Sequence, residues 1–107
     1  MKNLTSEQWA NSLEKDNNAQ ILDVRTEDEF IEGYIPGAKN IDIYKGQGFL
    51  DAINELDKNK NYYVYCRSGA RSAQACALMG QNGLNNTYNL LGGISEWEGE
   101  IENSLSL

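Results

Sequence analysis

Tyr62-Tyr63-Val64-Tyr65-Cys66-Arg67-Ser68-Gly69-Ala70-Arg71-Ser72 is the segment from which the architecture can be read. Tyr62 to Cys66 is rich in aromatic and β-branched residues, the strongest strand signal in the chain. Arg71 to Gln81 then reads as a helix. Ala73, Cys76, Ala77 and Gly80 share one small-residue face that can approach a sheet closely. Strand, short loop and helix in this order form half of a βαβ unit.

Outward from this segment the same rhythm recurs. On the C-terminal side, Thr87 to Leu91 reads as a strand, Gly92-Gly93 as a tight connection and Ile94 onward as a short helix. On the N-terminal side, Gly46 to Leu56 is expected to be helical, with Phe49, Ile53 and Leu56 at helical spacing. Gln20 to Arg25 is a short apolar run of buried-strand type, and Lys39 to Ile43 a second, shorter strand. Thr26 with Glu29 opens a helix between them, and Gly33, Pro36 and Gly37 read as turn residues. The chain begins with a helix capped by Thr5 and Gln8, with Leu4 and Trp9 at the hydrophobic-staple positions. Alternating strands and helices predict an α/β fold with a mainly parallel sheet.

Composition bounds what such a domain does. At 107 residues one domain is expected, spanning 1–107. Leu, Ile, Val and Phe number 23, just above the level of ~20% below which chains stay disordered. Six Tyr and two Trp add apolar bulk to a thin core. No apolar run reaches the ~18 residues that would span a bilayer. The polar opening lacks the apolar stretch of a signal peptide, so a cytoplasmic location is expected. A formal charge of −7 repels nucleic acid and anionic membranes, so neither is expected as a partner. The chain has no His, which excludes Ser-His-Asp and Cys-His catalysis and most catalytic zinc sites. Its two Cys, Cys66 and Cys76, are too few for a disulfide scaffold or a four-cysteine metal site.

The chemistry is therefore expected at Cys66. In open α/β sheets ligands gather at the carboxyl ends of strands, where loops lead into helix N-termini. A helix N-terminus offers unpaired N–H groups and roughly half a positive charge. Arg67 and Arg71 add fixed positive charge, and Gly69 lets the loop curl its amides inward as an anion nest. Such surroundings bring a Cys pKa from about 8.5 to roughly 3.5–7.5. A thiolate formed in this way needs no general base. The bland alternative, a small hydrophobe at a strand end, leaves the flanking Arg, Ser and Gly without a purpose.

These residues resemble the rhodanese-like sulfurtransferase domain family. Cys66-Arg67-Ser68-Gly69-Ala70-Arg71-Ser72 is similar to its active-site loop. Asp23-Val24-Arg25, Glu29-Phe30 and Gly33-Tyr34-Ile35-Pro36-Gly37-Ala38 are similar to its first signature, and Leu91-Gly92-Gly93-Ile94-Ser95-Glu96-Trp97 to its C-terminal one. The resemblance spans most of the chain. It implies a single module with a five-stranded, mainly parallel sheet flanked by helices on both faces. One departure is Tyr34, where the family commonly has His.

The activity implied is a double displacement through a Cys66 persulfide. The donor is a small anionic sulfane compound, thiosulfate or a persulfide. The acceptor is cyanide or a thiol, either a small molecule or a thioredoxin-like protein. No metal or organic cofactor is implied. Arg71 is expected to fix the loop and stabilise the persulfide, Arg67 to attract the donor, and the loop amides of residues 67 to 71 to cradle its sulfur. Ser68 and Ser72 are candidate hydroxyl donors, and Ala70 completes the loop. Asp23 and Arg25 are expected to brace the loop, with Arg25 pairing to Glu29 as the structural reading. Trp97 is expected as a core or edge anchor, and Cys76 as a packed thiol on the helix face rather than a resolving one.

Four residues separate Cys66 from Arg71, one fewer than in related Cys-based phosphatases. The shorter ring suits a sulfur atom carried on the Cys better than a tetrahedral phosphate, which sets phosphatase and arsenate reductase chemistry behind sulfur transfer. A sulfur-carrier or interaction module serving one protein partner is the other class left open. Redox sensing through Cys66 and Cys76 is a third.

Overall fold

The computed structural model describes residues 1–103; residues 104–107, which the expected domain span includes, lie outside the described residues. Strands β1 (Lys2–Leu4), β2 (Ala19–Asp23), β3 (Ala38–Asn40), β4 (Asn61–Tyr65) and β5 (Thr87–Leu90) form one sheet in the order β1-β5-β4-β2-β3. Every pairing is parallel. Helices α1 (Ser6–Lys15), α2 (Glu27–Glu32), α3 (Gln47–Asn54) and α4 (Ala70–Gln81) connect the strands, with short 3-10 turns at Ile43–Lys45 and Ile94–Glu96.

The side-chain alternation of β4 sorts the core into two layers. Tyr62, Val64 and Cys66 join Phe49 and Ile53 of α3 and Ala75, Cys76 and Met79 of α4. Tyr63 and Tyr65 point the other way and pack with Trp9 of α1, Ile21, Ile35 and Leu90. Trp9 is fully buried. Its ring meets Tyr63, Tyr65 and Trp97 edge to face, and its indole N–H donates to the Tyr88 carbonyl at 3.1 Å. Trp97 thus anchors the C-terminal segment on this layer.

Both helix starts read from the sequence are present. Thr5 with Gln8 caps α1, and Thr26 with Glu29 caps α2, each as a reciprocal capping box. Two strand expectations need correction. β1 was not anticipated: Lys2-Asn3-Leu4 carries too little apolar character to read as a strand, and its partner β5 lies at the far end of the sequence. The strand expected over Lys39 to Ile43 instead ends at Asn40. The Asp42 carboxylate accepts from the Tyr44 N–H at 2.8 Å and starts a 3-10 turn there.

Because β2 leads outward to β3 while β4 leads to β5 on the other side, the chain reverses direction across the sheet between β2 and β4. Loops leaving these two strands at their carboxyl ends open a crevice at that point. The loop after β4 begins with Cys66. No helix among the described residues is long and apolar enough to cross a membrane.

Candidate active site

Cys66 lies at the base of the loop between β4 and α4, with 1% of its surface exposed. Gly69 takes φ +104 as the N-cap of α4, a left-handed conformation that suits glycine. This turn aims its N–H at the sulfur, and the Gly69 nitrogen lies 3.0 Å from Sγ. The Ser72 hydroxyl, on the first turn of α4, lies 3.3 Å from Sγ. The backbone N–H groups of Ser68 and Ser72 also face the sulfur. Burial opposes ionisation of Cys66. The converging donors from Ser72, Gly69 and Ser68 outweigh it and hold the thiol below its ordinary pKa.

The other loop residues have distinct placements. Arg67, Ser68 and Ala70 are exposed at the rim, and Ser72 is buried. Arg71 is half-buried, and its guanidinium binds Glu29 of α2 through both terminal nitrogens, at 2.7 and 2.9 Å. Its other side lies over the Tyr44 ring, 5.5 Å from the centroid. Tyr44 is 69% exposed and forms the outer wall of this corner.

The Glu29 contact corrects the expected Arg25–Glu29 pair. Arg25 folds back onto Asp23, its guanidinium donating to both carboxylate oxygens at 2.7–3.1 Å and to the Gly33 carbonyl at 2.6 Å. Asn40 donates to the carbonyls of Asp23 and Arg25. Asp23 and Arg25 therefore brace the Gly33 turn and the end of β2, and their hydrogen bonds do not reach residues 66–72. Glu29, freed from Arg25, spans 42 positions of sequence to hold the loop.

Arg71 holds the Glu29 carboxyl at about 2, down from 4.5, with the Thr26 cap assisting against burial. A carboxyl depressed in the folded state adds stability that is complete above its unfolded pKa and lost as pH falls through the folded one. Glu29→Gln keeps an oxygen for the Thr26 cap but removes the charge, and is expected to cost about 1 kcal/mol at neutral pH. In urea unfolding of both proteins from pH 7 downward, the gap between them should stay open above 4.5 and close as pH approaches 2. A gap that does not change with pH would show that the ion pair adds nothing.

The segment after β5, whose Gly92-Gly93 pair reads in the sequence only as a tight connection, holds the back of the loop. Ile94 N–H donates to the Cys66 carbonyl at 2.9 Å and Ser95 N–H to the Arg67 carbonyl at 3.1 Å. Gly93 presses its α-carbon against that same peptide. A Cβ there would meet the carbonyl carbon and oxygen of Arg67 and come within 2.6 Å of the Cys66 oxygen.

Cys76 is buried in the α3–α4 layer. Burial, with the charge of Cys66 adding to it, pushes its thiol up to about 11, so it stays protonated at neutral pH. Tyr34, standing where the family commonly has His, stacks on Phe30 at 4.3 Å and bridges to Glu102 through paired backbone hydrogen bonds.

The sequence and fold that carry this arrangement match known proteins. The family model for the rhodanese-like domain matches residues 6–100. "Uncharacterized protein YqhL" of Bacillus subtilis (strain 168) is 37% identical over 102 residues, covering 95% of this chain and 76% of that protein. "Putative sulfurtransferase YtwF" of the same strain is 34% identical over 102 residues, covering 95% of each. The crystal structure of a rhodanese-like domain protein from Staphylococcus aureus matches with a TM-score of 0.82 at 36% identity, covering 96% of this chain and 98% of that one. The family model covers most of the chain, relatives at 34–37% identity cover 95% of it, and the chain belongs to the rhodanese-like domain family.

Proposed function

We propose that this protein is a sulfurtransferase that moves a sulfane sulfur from thiosulfate or a persulfide to a thiol or cyanide through a persulfide on Cys66, acting as one domain. The observation that carries the reading is the convergence of the Gly69 N–H and the Ser72 hydroxyl on Sγ in a chain that has no His. The nucleophile is formed by fixed donors and needs no base.

In the first half-reaction the Cys66 thiolate attacks the outer sulfur of thiosulfate. The S–S bond of thiosulfate breaks, sulfite leaves with the bonding pair, and Cys66 carries the sulfur as an anionic persulfide. In the second, an acceptor thiolate or cyanide attacks that terminal sulfur. The Cys66–sulfur bond breaks, its electron pair returns to Cys66, and the acceptor leaves as a persulfide or thiocyanate. No external oxidant or reductant enters. Residues 67 to 72 line the cradle for the transferred sulfur, and Arg67, exposed at the rim, draws the anionic donor against the net charge of −7.

The spacing of four residues between Cys66 and Arg71, one fewer than in related Cys-based phosphatases, supports sulfur transfer over phosphate chemistry. Intact mass spectrometry after incubation with thiosulfate tests the proposal. The expected result is a gain of one sulfur atom that a cyanide or thiol chase removes. Folded, reduced protein that gains no sulfur from either thiosulfate or a persulfide would overturn it.

A further inference from the structure

The Ser72 hydroxyl has one proton and two acceptors within reach: Cys66 Sγ at 3.3 Å and the Gly69 carbonyl oxygen at 3.1 Å. Where that proton goes decides whether the thiolate has a side-chain donor. The Gly69 carbonyl oxygen offers two lone pairs, and two other donors already address it. The Ala73 N–H lies at 3.1 Å as the first helical bond of α4, and the side-chain amide of Asn89 lies at 3.3 Å.

Asn89 sits on β5, buried. Its Nδ2 also donates to Oδ1 of Asn3 at 2.9 Å, across the β1–β5 pairing. Its own Oδ1 is the one buried side-chain oxygen without a partner among the described residues. A buried amide with an unsatisfied acceptor is costly, and a leucine of similar shape carries no such cost. The value of the amide at this position lies in its two donated hydrogen bonds.

We propose that Asn89 is a positioning residue for the Cys66 thiolate: by filling the second acceptor site of the Gly69 carbonyl, it directs the single Ser72 proton onto the sulfur. Without that amide the Ser72 proton has a free lone pair on Gly69 to turn to, and Cys66 loses a donor. The other charged or ionisable groups around Cys66 are Arg67 beside it in the chain, and Arg71 (bound to Glu29) and Cys76 on α4. None of these is altered in the test.

The proposal rests on Cys66 being the reactive thiolate of the functional reading, but it is read out without sulfur transfer. The thiolate is titrated by its ultraviolet absorbance and by its rate of alkylation with iodoacetamide, in the full chain. Asn89→Leu is expected to move the thiolate titration to higher pH and to slow alkylation at neutral pH about tenfold, the low end for the loss of one charge-assisted hydrogen bond. Ser72→Ala is expected to do the same. The decisive result is the double variant, which should match Ser72→Ala alone, because Asn89 acts only through the Ser72 proton. An unchanged titration in Asn89→Leu, or an equal further shift when it is added to Ser72→Ala, would overturn the proposal. Should Asn89→Leu not fold, an unchanged titration in Ser72→Ala would place the proton on Gly69 and equally overturn the proposal. Coupled titrations in a protein that takes up no sulfur would overturn the functional reading alone.

Discussion

Replacing Cys66 by serine is expected to abolish sulfur uptake and to lower turnover to background, a loss of at least about a thousandfold. The serine hydroxyl has nearly the same size and keeps the Gly69 and Ser72 contacts, but these donors cannot ionise it near neutral pH. Cys66 is buried in the α3–α4 layer, so circular dichroism must accompany the assay to show that the variant folds. Cys76→Ser provides the internal contrast. Its thiol is held protonated by burial, so most of the activity should remain and the added sulfur should still appear in the intact mass. A persulfide mass in Cys66→Ser would move the chemistry to another residue. Loss of transfer in Cys76→Ser with the fold intact would instead make Cys76 a participant.

The second large effect belongs to Gly93→Ala. Two costs combine there. The backbone has φ +60, which favours glycine, and the added methyl would collide with the Arg67 carbonyl group and the Cys66 carbonyl oxygen, backbone atoms that cannot swing aside. A destabilisation of about 2–4 kcal/mol is expected, seen as a fall in Tm of roughly 10–20 °C. Gly46→Ala separates the two costs. Gly46 has φ +56 but nothing within 4 Å of an added Cβ, so it should lose only about 1 kcal/mol. Below its transition Gly93→Ala should also show a weaker Cys66 thiolate, because the clash displaces the peptide that carries the sulfur. Equal melting temperatures for the two variants would mean that the backbone contact is not a constraint.

Local signals in the sequence were enough for most of the fold and for the loop that curls around Cys66. The Thr5 and Thr26 caps, the β4 strand and the α4 helix each depend on residues a few positions apart, and each is where the sequence put it, to within a residue or two. The errors fall where partners are remote. Arg25 and Glu29 are four apart and oppositely charged, so a local pairing was the natural expectation. Burial of Asp23 at the end of β2 instead captures Arg25, and the first turn of α2 presents Glu29 to Arg71. β1 is an edge strand of three residues with one apolar side chain, visible only once β5 is beside it. The donors around Cys66 were legible as a class, from glycine and a helix start. That Asn89 and the Gly93–Ser95 backbone complete the cradle was not, because no feature of those residues points toward position 66.

The pairing of β1 with β5 also bears on how the protein is made. A growing chain that has reached Gln81 already contains Cys66, its loop and all of α4. It does not yet contain Asn89, Gly93, Ile94 or Ser95, and β1 has no strand to join. Until β5 emerges and docks, the loop lacks the hydrogen bonds that Ile94 and Ser95 give to the Cys66 and Arg67 carbonyls. The donors gathered on Cys66 are therefore expected to be complete only once the last-made strand of the sheet has docked.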